Sequence, residues 1–306
     1  MILYIILWLG GNILEKIRKP AVAGQFYDSN KTSLSDRIKQ CFLDDRGPGR
    51  LPKITKGDKK VRGLVVPHAG YIYSGAIAAH SYNFLAENGF ADSFIILGPN
   101  HTGMGSGVSV MTEGIWQTPL GAVQINDIIA KNLFKGIIDK DEKAHYYEHS
   151  IEVQLPFLQY CSEDKKFDFV PICMAMQDFE TSDEVGKIIA ESVKKIDKNV
   201  VIIASSDFSH AGFNYMSMPS EGLRVDQYAE KQDKRAIKQI LDMNPAGLID
   251  TVHINDITMC GYGPVAAMIT AAKILCANKA ELLKYGSSYE VQPSTSCVGY
   301  GAIAVY

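Results

Sequence analysis

The chain has 306 residues, 46% of them hydrophobic and 21% charged, which is enough to bury a large core in one domain. A formal net charge of −3, with no block of lysines or arginines, gives no electrostatic reason to expect nucleic acid. Six cysteines, at positions 41, 161, 173, 260, 276 and 297, form no CxxC pair and no dense framework, so the composition fits a reducing, cytoplasmic setting better than a disulfide scaffold.

The run from Met1 to Leu9 is apolar but too short to span a bilayer, and it lacks the basic region and the small-residue cleavage motif of a signal peptide. No membrane span is expected. Residues 1–17 read as an extension outside the fold and 18–306 as a single domain. Ser33 to Cys41 predicts a helix, and 44–60 a polar loop. A strand at 63–66 leads to a helix from Ser74 to Asn88, stopped by Gly89. After a strand at 93–97 and a glycine-dense segment, 108–111, 114–117 and 122–125 read as short antiparallel strands. Residues 126–135 predict a helix, 138–148 a polar loop in which His145 is solvated, and 151–160 a helix with Ser150 as a candidate N-cap. A buried strand at 167–173, a helix at 184–196 and a strand at 200–204 follow. Helices at 225–242, 245–252 and 263–277 precede a closing strand at 298–306. Strands alternating with helices in this way imply βαβ units. The expected architecture is α/β, three-layer α-β-α around a central, mostly parallel, mixed sheet.

Three strands run straight into polar clusters: Val66 into Pro67 and His68, Leu97 toward Asn100 and His101, and Ala204 toward Asp207 and His210. The carboxyl ends of parallel strands share one edge, so these clusters converge on one crevice. His68, in Pro67-His68-Ala69-Gly70-Tyr71, and His101 are equivalently placed on two strands. Neutral imidazoles from separate strands commonly hold a first-row transition metal, although spacing alone reveals no third ligand. Asp207 and His210 read either as a carboxylate–imidazole acid–base pair or, for Asp207, as a cap of the turn that follows it. Glu148 and Glu152 fall at helical spacing with His149 beside the first; half of that pattern is ordinary capping.

Six stretches occur in order: Arg18 to Tyr27 (RKPAVAGQFY), Pro67 to Tyr71 with Ser74 and Gly75, Ile96 to His101, Glu148 to Glu152 with Leu155 and Pro156, Ser205 to His210, and Met259 to Gly261. Over roughly residues 18 to 306 the chain resembles the Memo family, component B of the AmmeMemoRadiSam group, itself similar in fold to class III extradiol dioxygenases. The resemblance implies that His68 and His101 are metal ligands, that Cys260 takes the place of a third, carboxylate ligand, and that His210 is an acid–base group with Asp207 nearby. It also makes Tyr71, Asn100, Glu148, His149 and Tyr262 candidates for binding substrate. Tyr262 stands where arginine is expected from animal members, which puts any anion-binding role there in doubt. A thiolate is softer than a carboxylate, so the single transition metal is expected to be iron or copper before zinc. Two functions follow from the resemblance: a metal-dependent, dioxygenase-like oxidoreductase acting on a small molecule, or a non-catalytic adaptor that holds a peptide, a metal or a small ligand in an old cleft. The family's association with a radical-SAM protein adds a possible pathway partner.

Overall fold

A strand buried on both faces needs apolar residues at nearly every position, and the segments LVV, FIIL and VVIIA supply them. The computed structural model describes residues 16–219 and 222–306. In chain order its elements are β1 (Ile17–Arg18), α1 (Lys31–Leu43), β2 (Gly63–Val66), α2 (Tyr71–Glu87), β3 (Ser93–Pro99), β4 (Val108–Val110), β5 (Ile115–Thr118), β6 (Gly121–Gln124), α3 (Asp127–Leu133) and β7 (Asp139–Lys140). Then come α4 (Gln154–Cys161), β8 (Asp168–Met174), α5 (Phe179–Val193), β9 (Val200–Ser205), β10 (His210–Gly212), α6 (Val225–Leu241), α7 (Pro245–Ile254), α8 (Tyr262–Ile274), β11 (Ala280–Ser287) and β12 (Ser296–Val305).

Nine strands form the main sheet, in the order β10-β12-β2-β9-β3-β8-β4-β7 with β11 also on β12. The central four, β2, β9, β3 and β8, are parallel. β12 lies antiparallel to β2, and β4 antiparallel to β8. The sheet is therefore mixed with a parallel centre, as the alternation of strands and helices implies. α1, α2 and α4 pack together on one face, while α8 lies against β2, β3 and β9 with α5 and α7 beside it. Val66 aligns with Ser205 and Pro99 with Met174, so the parallel strands end at one edge.

The structure departs from the sequence reading in several places. β11, for which no strand was expected, pairs along most of β12; its residues are mostly half-buried and lack the alternation that announces a strand. The three short strands form as expected and pair antiparallel, but in different sheets: β4 joins the main sheet on β8, while β5 pairs with β6 and, parallel, with β1. Ile17, assigned to the extension, pairs with Ile115 there. Residues 1–15 of that extension lie outside the described residues. α4 begins at Gln154 instead of 151, and Ser150 is not its cap, since its hydroxyl donates to the Pro99 carbonyl at 3.2 Å. His145 is fully buried, not solvated: Arg18 Nε donates to its carbonyl at 2.8 Å, and Trp116 packs against its ring at 5.8 Å. Burial holds that imidazole down to about 3, so it is neutral.

Candidate metal centre

The segment that opens the domain anchors the site. The buried guanidinium of Arg18 forms an ion pair with the buried Glu152 carboxylate and lies 4.0 Å over the Trp116 ring. Arg18 Nη2 donates to the Glu148 carbonyl at 2.8 Å. Glu152 also accepts the N–H groups of Ala21 (2.8 Å) and Val22 (3.1 Å) and the Tyr27 hydroxyl (2.6 Å). The RKPAVAGQFY segment is thereby bound to the 148–152 turn, and Phe26 comes to rest on the His149 ring at 4.6 Å.

Glu148, fully buried, orients His101. Its Oε1 accepts from His101 Nδ1 at 3.0 Å and from the N–H groups of His149 and Ser150, both at 2.9 Å. Its Oε2 accepts the His101 N–H at 2.6 Å. Burial works to raise the Glu148 carboxyl, but these donors hold it down to about 2, so it is an acceptor throughout the neutral range. His101 Nδ1 must then carry the proton, which leaves Nε2 with a free lone pair.

His68 reaches the same state by a different route. Its Nδ1 lies 2.9 Å from the Ser205 hydroxyl. That hydroxyl spends its one hydrogen on the Ser150 carbonyl at 2.7 Å and accepts from Gln154 Nε2 at 2.8 Å. It can only accept from His68, so the His68 proton is on Nδ1 and Nε2 is bare. Burial, then the neighbouring His149, His101 and His210, keep this imidazole well below its ordinary range.

Cys260 Sγ lies 3.2 Å from that bare Nε2. The ligating atoms of His68, His101 and Cys260 all fall within 4.8 Å of one another. Cys260 precedes α8, and Gln177 pins its loop by donating to the Cys260 carbonyl and accepting the Gly263 N–H, both at 2.9 Å. Gly261 lets this loop press on the end of β9, where a Cβ would come within 2.6 Å of the Ser205 carbonyl oxygen and 2.7 Å of Ser206 Cβ. Gly261→Ala is therefore expected to cost about 1–3 kcal/mol in urea unfolding and to weaken metal binding with it; unchanged stability would show that the loop can give way.

A second grouping, His101, Glu148 and His149, is equally compact. Glu148 is already engaged by four N–H donors, however, which fits it to orient the His101 ring from behind instead of offering an oxygen to an ion. His149 stacks on His101 with ring centroids 4.6 Å apart, and burial holds it down to about 4.

The expected pairing of Asp207 with His210 is not formed. Asp207 Oδ1 accepts the N–H groups of His68 (2.8 Å) and Ala69 (3.3 Å), so it holds the turn after β2 and not the turn that follows it in the chain, and burial raises its carboxyl. His210 Nδ1 instead faces the carbonyls of Phe208 and Thr258, each at 3.0 Å, so it is protonated and its Nε2 is the free nitrogen. His68, His101, His149, Asp207 and His210 all line a cavity of about 530 Å³.

Three candidates for binding substrate lie elsewhere. Tyr71 is buried in the core, with its hydroxyl on the Val153 carbonyl at 2.6 Å. Asn100 organises its own loop, accepting from Thr102 and Gly103 and donating to the Met104 carbonyl at 2.7 Å. Tyr262 opens α8 with its hydroxyl 3.5 Å from His253. None of the three lines the cavity. Sequence reasoning missed Ser205, Gln154 and Gln177. The first two stand inside or directly beside motifs already singled out, whereas Gln177 carries no local signal.

These features define a three-layer α/β protein with a His/His/Cys group at the carboxyl edge of its sheet that could hold a metal ion. Residues 18–304 match the family described as Memo-like protein, and the chain belongs to that family. A MEMO1 family protein of Methanopyrus kandleri is 46% identical over 289 residues, covering 94% of this chain and 98% of the relative. One from Methanocaldococcus jannaschii is 46% identical over 300 residues, covering 95% and 100%. Among solved structures, an uncharacterized protein of Escherichia coli K12 superposes with a TM-score of 0.51 at 13% identity, covering 79% of this chain and 99% of that one, a likeness of fold alone.

Proposed function

We propose that this chain is a metal-dependent redox enzyme in which His68, His101 and Cys260 hold one transition metal and His210 moves protons at the cavity beside it. The observation that carries the reading is the paired tautomer: both histidines have Nδ1–H engaged from behind, by Ser205 and Glu148, which leaves Nε2 of each as the nitrogen able to ligate, in a group with Cys260 whose ligating atoms lie within 4.8 Å of one another. The donor set fits a metal. The 3.2 Å between Cys260 Sγ and His68 Nε2 is close to the separation of about 3.5 Å expected of two ligands on one tetrahedral ion. A bound iron or copper would supply Lewis acidity and one-electron chemistry. Burial pushes the Cys260 thiol up, so this group must give up a proton on loading. Asp207 holds the His68 turn in place through two N–H groups, and His210, with Nδ1 held by two carbonyls, leaves Nε2 as the nitrogen available for proton transfer at the cavity.

Elemental analysis of protein purified without added metal tests the reading: one transition-metal ion per chain is expected, and an empty or substoichiometric site would favour the adaptor alternative. Cys260→Ser should weaken metal binding at least about tenfold, because a serine hydroxyl is rarely deprotonated, while the fold persists because the change is nearly isosteric. Equal affinity in a competition titration would remove Cys260 from the ligand set.

A further inference from the structure

A buried carboxylate that the metal centre does not use lies behind His210. Asp233, on α6, is fully buried; its Oδ1 accepts the Ser209 N–H at 2.8 Å and its Oδ2 the Tyr285 hydroxyl at 2.7 Å. The Ser209 N–H belongs to the same peptide unit as the Phe208 carbonyl, and that carbonyl faces His210 Nδ1 at 3.0 Å. β12 holds the peptide units on either side of this one: the Phe208 N–H donates to the Gly299 carbonyl at 2.9 Å, and the Gly299 N–H to the Ser209 carbonyl at 3.0 Å. Gly299 also leaves room for the carboxylate, since a Cβ there would collide with Asp233 Oδ2. A carboxylate, a peptide and an imidazole thus form one continuous hydrogen-bonded chain. Burial pushes the Asp233 carboxyl up to about 6 against the pull of Ser209 and Tyr285, which still leaves it ionised at neutral pH. The other titratable groups nearby are Glu230 and Tyr285 around Asp233, and Asp207, His68 and Tyr215 around His210.

We propose that Asp233 is a positioning residue that acts on His210 through the Phe208–Ser209 peptide. Its negative charge polarises the amide, strengthens the Phe208 carbonyl as an acceptor and holds the imidazole proton on Nδ1, so that Nε2 keeps its lone pair toward the cavity. The inference rests on the acid–base reading of His210 and assigns the supporting carboxylate to a residue 23 positions downstream, in place of Asp207.

The test is nitrogen-15 NMR of the full chain labelled at histidine and loaded with zinc, a diamagnetic probe, comparing the parent with Asp233→Asn. The variant keeps the size of the side chain and an oxygen to accept from Ser209, and removes the charge. The ratio of Nδ1–H to Nε2–H tautomer at His210 should fall about three- to tenfold, with the signals of His68 and His101 unmoved; an unchanged ratio overturns the proposal. Tyr285→Phe serves if Asp233→Asn does not fold: stripping a donor from Oδ2 leaves more charge facing Ser209, and the ratio should rise about twofold, whereas no rise counts against the relay. If the parent's His210 signals report zinc coordination, the acid–base reading has failed and takes this inference with it. An unchanged ratio at an uncoordinated His210 overturns the role of Asp233 alone.

Discussion

His68→Ala is expected to empty the proposed metal site, whereas His210→Ala should leave metal content nearly unchanged and lower any turnover by roughly 10²- to 10⁴-fold, the usual contribution of a positioned general acid–base. The two residues differ in where their free nitrogens sit. His68 Nε2 lies against Cys260 Sγ inside a group whose ligating atoms are within 4.8 Å of one another, and its removal leaves one imidazole and a thiol that burial keeps protonated. His210 is absent from that group and lines the cavity with its Nδ1 tied to two carbonyls. Metal titrations of both variants, with Cys260→Ala as a control, check the difference. A His210→Ala site as empty as that of His68→Ala would make His210 a ligand and end the proposed mechanism.

Glu152→Ala should cost about 3–5 kcal/mol of stability, because it leaves the Arg18 guanidinium buried without its counter-charge. The loss extends beyond one ion pair. The Glu152 carboxylate also accepts from Ala21, Val22 and Tyr27, so the segment carrying Phe26 loses its attachment to the 148–152 turn. Urea unfolding of the variant measures the cost, and a loss below about 1 kcal/mol would show that water reaches Arg18 once Glu152 is gone. Metal affinity should fall as well, since Arg18 also holds the Glu148 carbonyl, and Glu148 orients His101.

The sequence by itself determined the parallel centre of the sheet and its functional edge. Runs such as Val200 to Ala204 can be buried on both faces only as central strands, and the βαβ order then brings His68, His101, Asp207 and His210 to one end of them. Pairings between distant segments were beyond it. Cys260 meets His68 across 192 residues, a contact that no spacing encodes and that only the resemblance to a family suggested. His145 sits in a charged stretch and is nonetheless buried, because Arg18 and Trp116, far from it in the chain, close over it. The three-residue spacing of Asp207 and His210 offers either an acid–base pair or a cap of the following turn. In the fold, the backbone N–H groups of the His68 turn capture Asp207, and Asp233, presented by α6, reaches the Phe208–Ser209 peptide instead. Local pattern fixes which residues arrive at the edge of a sheet; which of their atoms pair is decided by the hydrogen-bonding demands of whatever backbone the tertiary fold places beside them.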